Sequence, residues 1–205
     1  MSERKIVVLS AGLGTPSSSR LLADQLAKSA ADKFGAAGLG VRVSTYELRE
    51  YAVDIANNMV AGYAAPRLQD LLDAVAGADA LIAVTPVFSA SYSGLFKSFF
   101  DVLDRDALAG KPVLLGATGG SARHSLALEY AVRPLFSYLR ARTVPTVVFA
   151  APEDWGGDGS AVLARRSDRA AAELAALAGE QPAAEQGRGG MESLSFEEIL
   201  AQVGH

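Results

Sequence analysis

The sequence predicts one α/β domain built on a parallel five-stranded sheet with helices on both faces. Three observations lead there. Short apolar runs alternate with stretches of helical period along most of the chain. Three of those runs are almost continuous, as strands covered on both faces are. Half of the 205 residues are apolar, enough for a full-sized core in one domain.

The elements follow in order. Residues 6–9, IVVL, read as the first strand. A helix over about 18–34 places Leu21, Leu22, Leu26 and Ala30 on one face, and Gly35, Gly38 and Gly40 punctuate its end. Val41, Val43 and Thr45 alternate with Arg42, Ser44 and Tyr46, a half-exposed second strand. Residues 47–65 have no clear period and read as a loop with a short helix. Pro66 suits the first position of a helix over 66–76 that carries Leu68, Leu71, Leu72 and Val75. Strands over 80–84 and 113–117 flank a helix over about 93–103. A helix over about 125–140, a strand over 143–150 and a helix over about 160–177 complete the domain, residues 1–178. The tail, 179–205, reads as a flexible linker, GEQPAAEQGRGG, and a short helix over 193–203 with a possible capping box from Ser195 and Glu198.

Strand character also predicts strand order. The first, third and fourth strands are the continuous apolar runs and belong in the centre. The second alternates, and the fifth contains Pro145, which a sheet tolerates at its edge. The resulting order, 2-1-3-4-5, is that of a flavodoxin-like three-layer sandwich, with its ligand crevice between strands one and three.

Three loops follow the central strands; all are rich in hydroxyls and contain no carboxylate, and the first and third are also rich in glycine. The first, SAGLGTPSSSR, offers Ser10, Thr15, Ser17, Ser18, Ser19 and Arg20. It lacks the third glycine of a dinucleotide fingerprint and the Gly-Lys-Ser/Thr ending of a nucleoside triphosphate loop. Hydroxyls and free N–H groups at a helix start suit a terminal monophosphate, as in FMN, better than a bridging pyrophosphate. The second loop, TPVFSASYS, offers Pro86, Val87, Phe88, Ser89 and Tyr92, in which an aromatic can lie against a planar ring. The third, TGGSARHS, offers Thr118, Gly119, Gly120 and Ser121, whose glycines permit close backbone approach. Each loop alone also reads as ordinary structure: a serine-capped helix, aromatics plugging the core, a plain turn. Their convergence on one crevice points to a pocket for a phosphorylated ring ligand.

Composition excludes other chemistry. With no cysteine and only His124 and His205, there is no disulfide, no thiolate zinc site and no histidine metal centre to expect. The net charge is −4, and the arginines at 165, 166 and 169 alternate with acids, so no nucleic-acid partner is expected. MSERK runs straight into a short strand without the apolar stretch of a signal peptide, and no segment reaches the ~20 apolar residues of a membrane span. A cytoplasmic protein is the expectation.

The central motifs resemble a known family. Thr85-Pro86-Val87-Phe88, Tyr92-Ser93-Gly94-Leu95-Phe96-Lys97, Ala109-Gly110-Lys111-Pro112 and Gly119-Gly120 occur in the order found in the NADPH-dependent FMN reductases. The resemblance spans about residues 5–149 and is nearest to the small reductases that supply reduced FMN to luciferase-like monooxygenases. Many members have Glu-Tyr-Asn after the proline where this chain has Val87-Phe88-Ser89, which shifts the expected flavin contacts toward backbone groups. The resemblance implies FMN and NADPH or NADH as cofactors, hydride transfer between stacked rings without a catalytic side chain, and a homodimer or homotetramer. Arg123 and His124 are candidates for a 2′-phosphate contact. The broad apolar stripe of Leu95, Phe96, Phe99, Phe100, Val102 and Leu103 fits either core or subunit interface. An FMN-containing quinone or azo reductase, a flavodoxin-type electron carrier and a non-redox binding module remain open as alternatives. The carboxylate-free loops speak against the carrier, whose flavin surroundings are usually acidic.

Overall fold

A computed structural model describes residues 3–180 of the chain. The strands β1 (Arg4–Ser10), β2 (Val41–Glu47), β3 (Ala80–Phe88), β5 (Pro112–Thr118) and β6 (Arg142–Thr143) are all parallel, and the sheet runs β2-β1-β3-β5-β6. Counting only the parallel strands, this is the expected order. The apolar runs explain it: every residue of β5 is buried, as is all of β3 up to Pro86.

The core has two layers, one on each side of the sheet. Ile6, Val8, Ile82 and Leu114 face α1 (Ser18–Ala36) and α6 (Gly157–Gly179). Val7, Leu9, Leu81 and Leu115 face the opposite layer. That layer holds α2 (Ala52–Ala61), α3 (Pro66–Ala76), α4 (Gly94–Val102) and α5 (Arg133–Tyr138). The pleat places alternate side chains on opposite faces, so an apolar strand fills both layers at once.

Three elements differ from expectation. The fifth strand splits into β6 (Arg142–Thr143) and β7 (Val148–Ala150), both paired to β5. Pro145 lies in the gap, where it has no N–H to give a ladder. The second hydroxyl-rich loop is largely strand: β3 runs on to Phe88 and turns back antiparallel into β4 (Ser91–Tyr92). The turn residues Ser89 and Ala90 have φ of 48° and 68°, the positive values a tight hairpin demands. The helix expected over 125–140 starts late, after a 3₁₀ turn at Ala122–His124, and consists of a π turn over Leu128–Val132 followed by α5. Pro134 accounts for the wide turn, since it cannot bond the carbonyl one turn back and its ring crowds that carbonyl.

Helix α6 continues to Gly179, the residue at which the linker was expected to start. The remainder of the linker and the closing helix over 193–203 lie outside the described residues. No helix among the described residues is long and apolar enough to cross a membrane.

The aromatic stripe of α4 is used within the protomer. Phe96, Phe99 and Phe100 are buried, and Phe100 meets Phe136 edge to face at 4.9 Å. Exposed large apolar residues gather instead on and after α2, where Val53, Met59, Val60 and Tyr63 are all more than half exposed.

Candidate functional site

The parallel strands all end on one side, and a cavity of about 460 Å³ opens there. Its walls come from four places. The loop after β1 contributes Gly12, Leu13, Gly14 and Pro16, and the start of α1 contributes Ser17, Ser18 and Ser19. The end of β3 contributes Pro86, Val87 and Phe88. The end of β5 and its loop contribute Thr118, Gly119 and Gly120. Ala150, Pro152 and Trp155 close the fourth side.

Hydrogen bonds fix these walls. Ser19 Oγ and Thr118 Oγ1 lie 2.7 Å apart, joining the first and third loops across the sheet. Ser17 caps α1, its hydroxyl accepting from the Arg20 N–H at 3.2 Å. That leaves the N–H groups of Ser18 and Ser19 without acceptors inside the helix. In the second loop, Thr85 Oγ1 donates to the Pro86 carbonyl and accepts from the Ser93 N–H at 3.0 Å. Arg49 donates to the Gly14 carbonyl at 2.7 Å and to the Thr15 hydroxyl, tying the first loop to the end of β2.

Six of the expected residues do not line the cavity. Arg20 turns to Asp24 and Glu47, whose bonds and charge hold its guanidinium above its usual pKa, Asp24 contributing most. Thr15 is engaged by Arg49. Ser89 sits at the hairpin tip, Ser121 lies beyond the glycines, and Tyr92 packs toward Phe96 with ring centroids 6.0 Å apart. Ser10 is fully buried beneath the loop, and its hydroxyl has no hydrogen-bond partner among the described residues.

The fourth wall, Ala150, Pro152 and Trp155, is what sequence reasoning missed, and Trp155 is its largest side chain. It ends a 3₁₀ turn, Pro152–Trp155, which the Asp154 carboxylate fastens by accepting from the Ala151 N–H at 2.8 Å. Its signal was present: it follows the carboxyl end of the last strand, as each of the other loops follows its own. Gly159 makes room for this turn. A Cβ there would stand 2.5 Å from the Glu153 carbonyl oxygen and 3.1 Å from the Asp154 Cα, both backbone. Gly159→Ala is therefore expected to displace the turn, cost about 1–3 kcal/mol in urea denaturation and shift the emission of Trp155.

The cavity suits a phosphorylated ring. Among the described residues, no lining residue carries a charge. What the cavity offers an anion is hydroxyls, free N–H groups and the positive end of a 19-residue helix. The loop is also cramped in a way that keeps the cradle open: a Cβ on Gly12 would fall 2.0 Å from Ser17 Oγ. Opposite, Phe88 and Trp155 border the cavity beside the backbone of Gly119 and Gly120; the Gly119 N–H donates to the Ala150 carbonyl at 3.2 Å, which leaves that of Gly120 to face a ligand.

Comparison with known proteins agrees. The family model of the NADPH-dependent FMN reductases matches residues 4–156. The chain is 36% identical over 151 residues to the FMN reductase (NADPH) of Pseudomonas aeruginosa, covering 74% of this chain and 78% of that protein. It is 38% identical over 172 residues to the NADH-dependent FMN reductase SfnE of Pseudomonas putida, covering 83% and 89%. An oxidoreductase from Corynebacterium diphtheriae superposes with a TM-score of 0.86 at 48% identity, over 89% of this chain and all of that one. The chain belongs to the NADPH-dependent FMN reductase family and is an oxidoreductase that works with FMN and NAD(P)H.

Proposed function

We propose that the cavity takes FMN with its phosphate at the start of α1 and its ring between the β3 end and the Gly119-Gly120 loop, and that reduced flavin leaves for a partner monooxygenase. The observation that carries this reading is the uncharged wall of hydroxyls and helix N–H groups at the carboxyl ends of β1, β3 and β5. Bound there, the flavin would supply the redox chemistry, accepting a hydride from reduced nicotinamide and a proton from solvent. The protein's residues bind and orient. Ser17, Ser18 and Ser19 hold the phosphate, and Pro86, Val87 and Phe88 set the plane of the ring. The backbone N–H of Gly120 faces the polar edge of the ring system, that of Gly119 being held by the Ala150 carbonyl. Phosphate recognition without a cation favours a flavin that exchanges over one held permanently. The proposed setting is the cytoplasm, where reduced nicotinamide is supplied.

Trp155 gives a direct binding readout, being the one tryptophan of the chain and lining the cavity. FMN is expected to quench it and to bind at least roughly tenfold more tightly than riboflavin, because charge-assisted hydrogen bonds contribute ~1.5–3 kcal/mol each. Equal affinities in that titration remove the phosphate from the start of α1. Oxidation of NADPH and of NADH, followed by absorbance with FMN, FAD, riboflavin or a quinone as acceptor, separates a flavin reductase from a quinone reductase.

The proposed assembly is a homodimer or homotetramer. Its support is the exposed apolar group of Val53, Met59, Val60 and Tyr63, since soluble monomers seldom leave such patches uncovered. Light scattering at micromolar concentration is expected to give twice or four times the chain mass. A fully active monomer overturns it.

A further inference from the structure

Two guanidiniums stand beside the first cavity without lining it. Arg20 follows Ser19 on α1, and Arg49 donates to the Gly14 carbonyl at 2.7 Å, so both adjoin residues of the cavity wall. A free guanidinium is the side chain best matched to a phosphate, because its planar fork gives two parallel charge-assisted bonds. Here one carboxylate occupies both. Glu47 accepts from Arg20 through Oε1 at 3.0 Å and pairs with Arg49 through Oε2 at 2.9 Å. Glu47 closes β2 and stands level with Ser10 at the end of β1. Its side chain is only 13% exposed, so water and salt screen these pairs less than they screen surface ones. Asp24 takes another edge of Arg20 at 2.8 Å. The cluster of Arg20, Asp24, Glu47 and Arg49 therefore carries no net charge. The next acid along, Glu50, is turned to Arg67 at 3.4 Å.

We propose that Glu47 holds both arginines off the flavin phosphate and thereby sets how readily the flavin leaves. This rests on the reading that the phosphate lies at the start of α1. Glu47 does not line the cavity, so it acts through Arg20 and Arg49 and is a positioning residue. Held this way, Arg49 still shapes the first loop through the Gly14 carbonyl and the Thr15 hydroxyl. Its charge, however, is cancelled before it reaches a ligand.

The consequence for binding follows from the charges. A phosphate dianion at the start of α1 meets hydroxyls, N–H groups and a helix end, all of which are weaker partners than a guanidinium fork. With Glu47 neutral, the cluster gains one positive charge. The edge of Arg20 that faced Glu47 then becomes free one residue from Ser19. Affinity gained in this way shows mainly as slower release. A carboxylate that costs affinity suits a protein whose product is the flavin itself.

Glu47→Gln removes the charge and keeps the shape. FMN and riboflavin are titrated into the full-length natural protein and the variant, with quenching of Trp155 as the readout. In Glu47→Gln the ratio of FMN to riboflavin affinity is expected to rise by at least roughly fivefold, through charge-assisted bonds to the phosphate. FMN release in stopped flow should slow by about the same factor, with riboflavin affinity within about twofold of the natural protein. The gain should fade in about 1 M salt, where charges are screened within about 3 Å. Asp24→Asn makes the same one-unit change from a side chain that is 49% exposed. It should move the ratio the same way, by about threefold, and it decides the matter should Glu47→Gln fail to fold. A ratio near one in the natural protein removes the phosphate from the start of α1, and the proposal with it. A ratio well above one that the variants leave unchanged or lower overturns the role of Glu47 alone. So does an equal loss of FMN and riboflavin affinity, which makes the cluster a support for the loop and nothing more.

Discussion

Lys111→Met is expected to lower stability by about 2–4 kcal/mol, the largest effect of any single substitution considered. Lys111 is 7% exposed, and its ammonium donates to the carbonyls of Val75, Ala76 and Ala78 at 2.6, 2.8 and 2.8 Å. It thereby ties the end of α3 to the start of β5. Methionine keeps most of the volume and removes all three donors, and each buried carbonyl left unpaired costs about 1–3 kcal/mol. For a domain of this size that is a fall in Tm of about 5–15 °C. Lys97→Met, which breaks a surface pair with Asp101, is the control and should stay within about 1 kcal/mol. Burial also pushes the Lys111 ammonium down to about 8 from 10.5, with Asp79 opposing. The sign of the pH effect follows. Between those values the unfolded chain still holds the proton that the folded chain has released, so stability rises with pH across the window. The advantage of the natural protein over Lys111→Met should therefore grow from about pH 8 to about pH 10.5. A gap that is flat or shrinks there means that the three carbonyls, which need all three N–H bonds of the charged form, outweigh burial.

Lys111 also illustrates what a sequence conceals. It was visible only as part of an Ala-Gly-Lys-Pro motif before a strand. Its partners lie 33 to 36 residues away, and no local pattern marks a lysine that serves the end of another helix. The pairing of Arg20 with Glu47, 27 residues on, was hidden for the same reason, and it takes from the first loop the one cation that seemed available there. What depends on side-chain periodicity was legible. The continuous runs IVVL, ALIAV and VLLGA gave the central strands, and the alternation in β2 gave its edge. Pro145 was read correctly as an edge marker, though not as a gap. Pro134 sat inside a helical pattern and was passed over, yet it accompanies the π turn. The site was legible to the extent that it follows the rule for parallel sheets: loops at the carboxyl ends of central strands. Nine of the fifteen residues named from sequence line the cavity. The six that do not are settled by contacts across the fold or by turn geometry, which spacing cannot report.

Ser18→Asp is expected to weaken FMN binding ten- to a hundredfold, about 1.4–2.8 kcal/mol, while leaving riboflavin binding nearly unchanged. Ser18 is the first residue of α1 and lines the cavity. If the flavin phosphate rests against this helix start, the substitution sets a carboxylate against a dianion and removes a hydroxyl donor. Among the described residues no cation borders the cavity to screen the new charge: Arg20 is held by Asp24 and Glu47, and Arg49 by Glu47 and the Gly14 carbonyl. Folding should survive, because a carboxylate in the first turn of a helix is tolerated or mildly stabilising, and α1 has no acid there. The capping hydroxyl belongs to Ser17 and is untouched. Riboflavin has the same ring and ribityl chain without the phosphate, so it reports any general damage to the cavity. Quenching of Trp155 measures both ligands in one experiment. A parallel loss of FMN and riboflavin affinity makes the loop structural and moves the phosphate elsewhere. If neither ligand weakens, Ser18 points away from the phosphate, and Ser17→Ala and Ser19→Ala decide which neighbouring hydroxyl holds it.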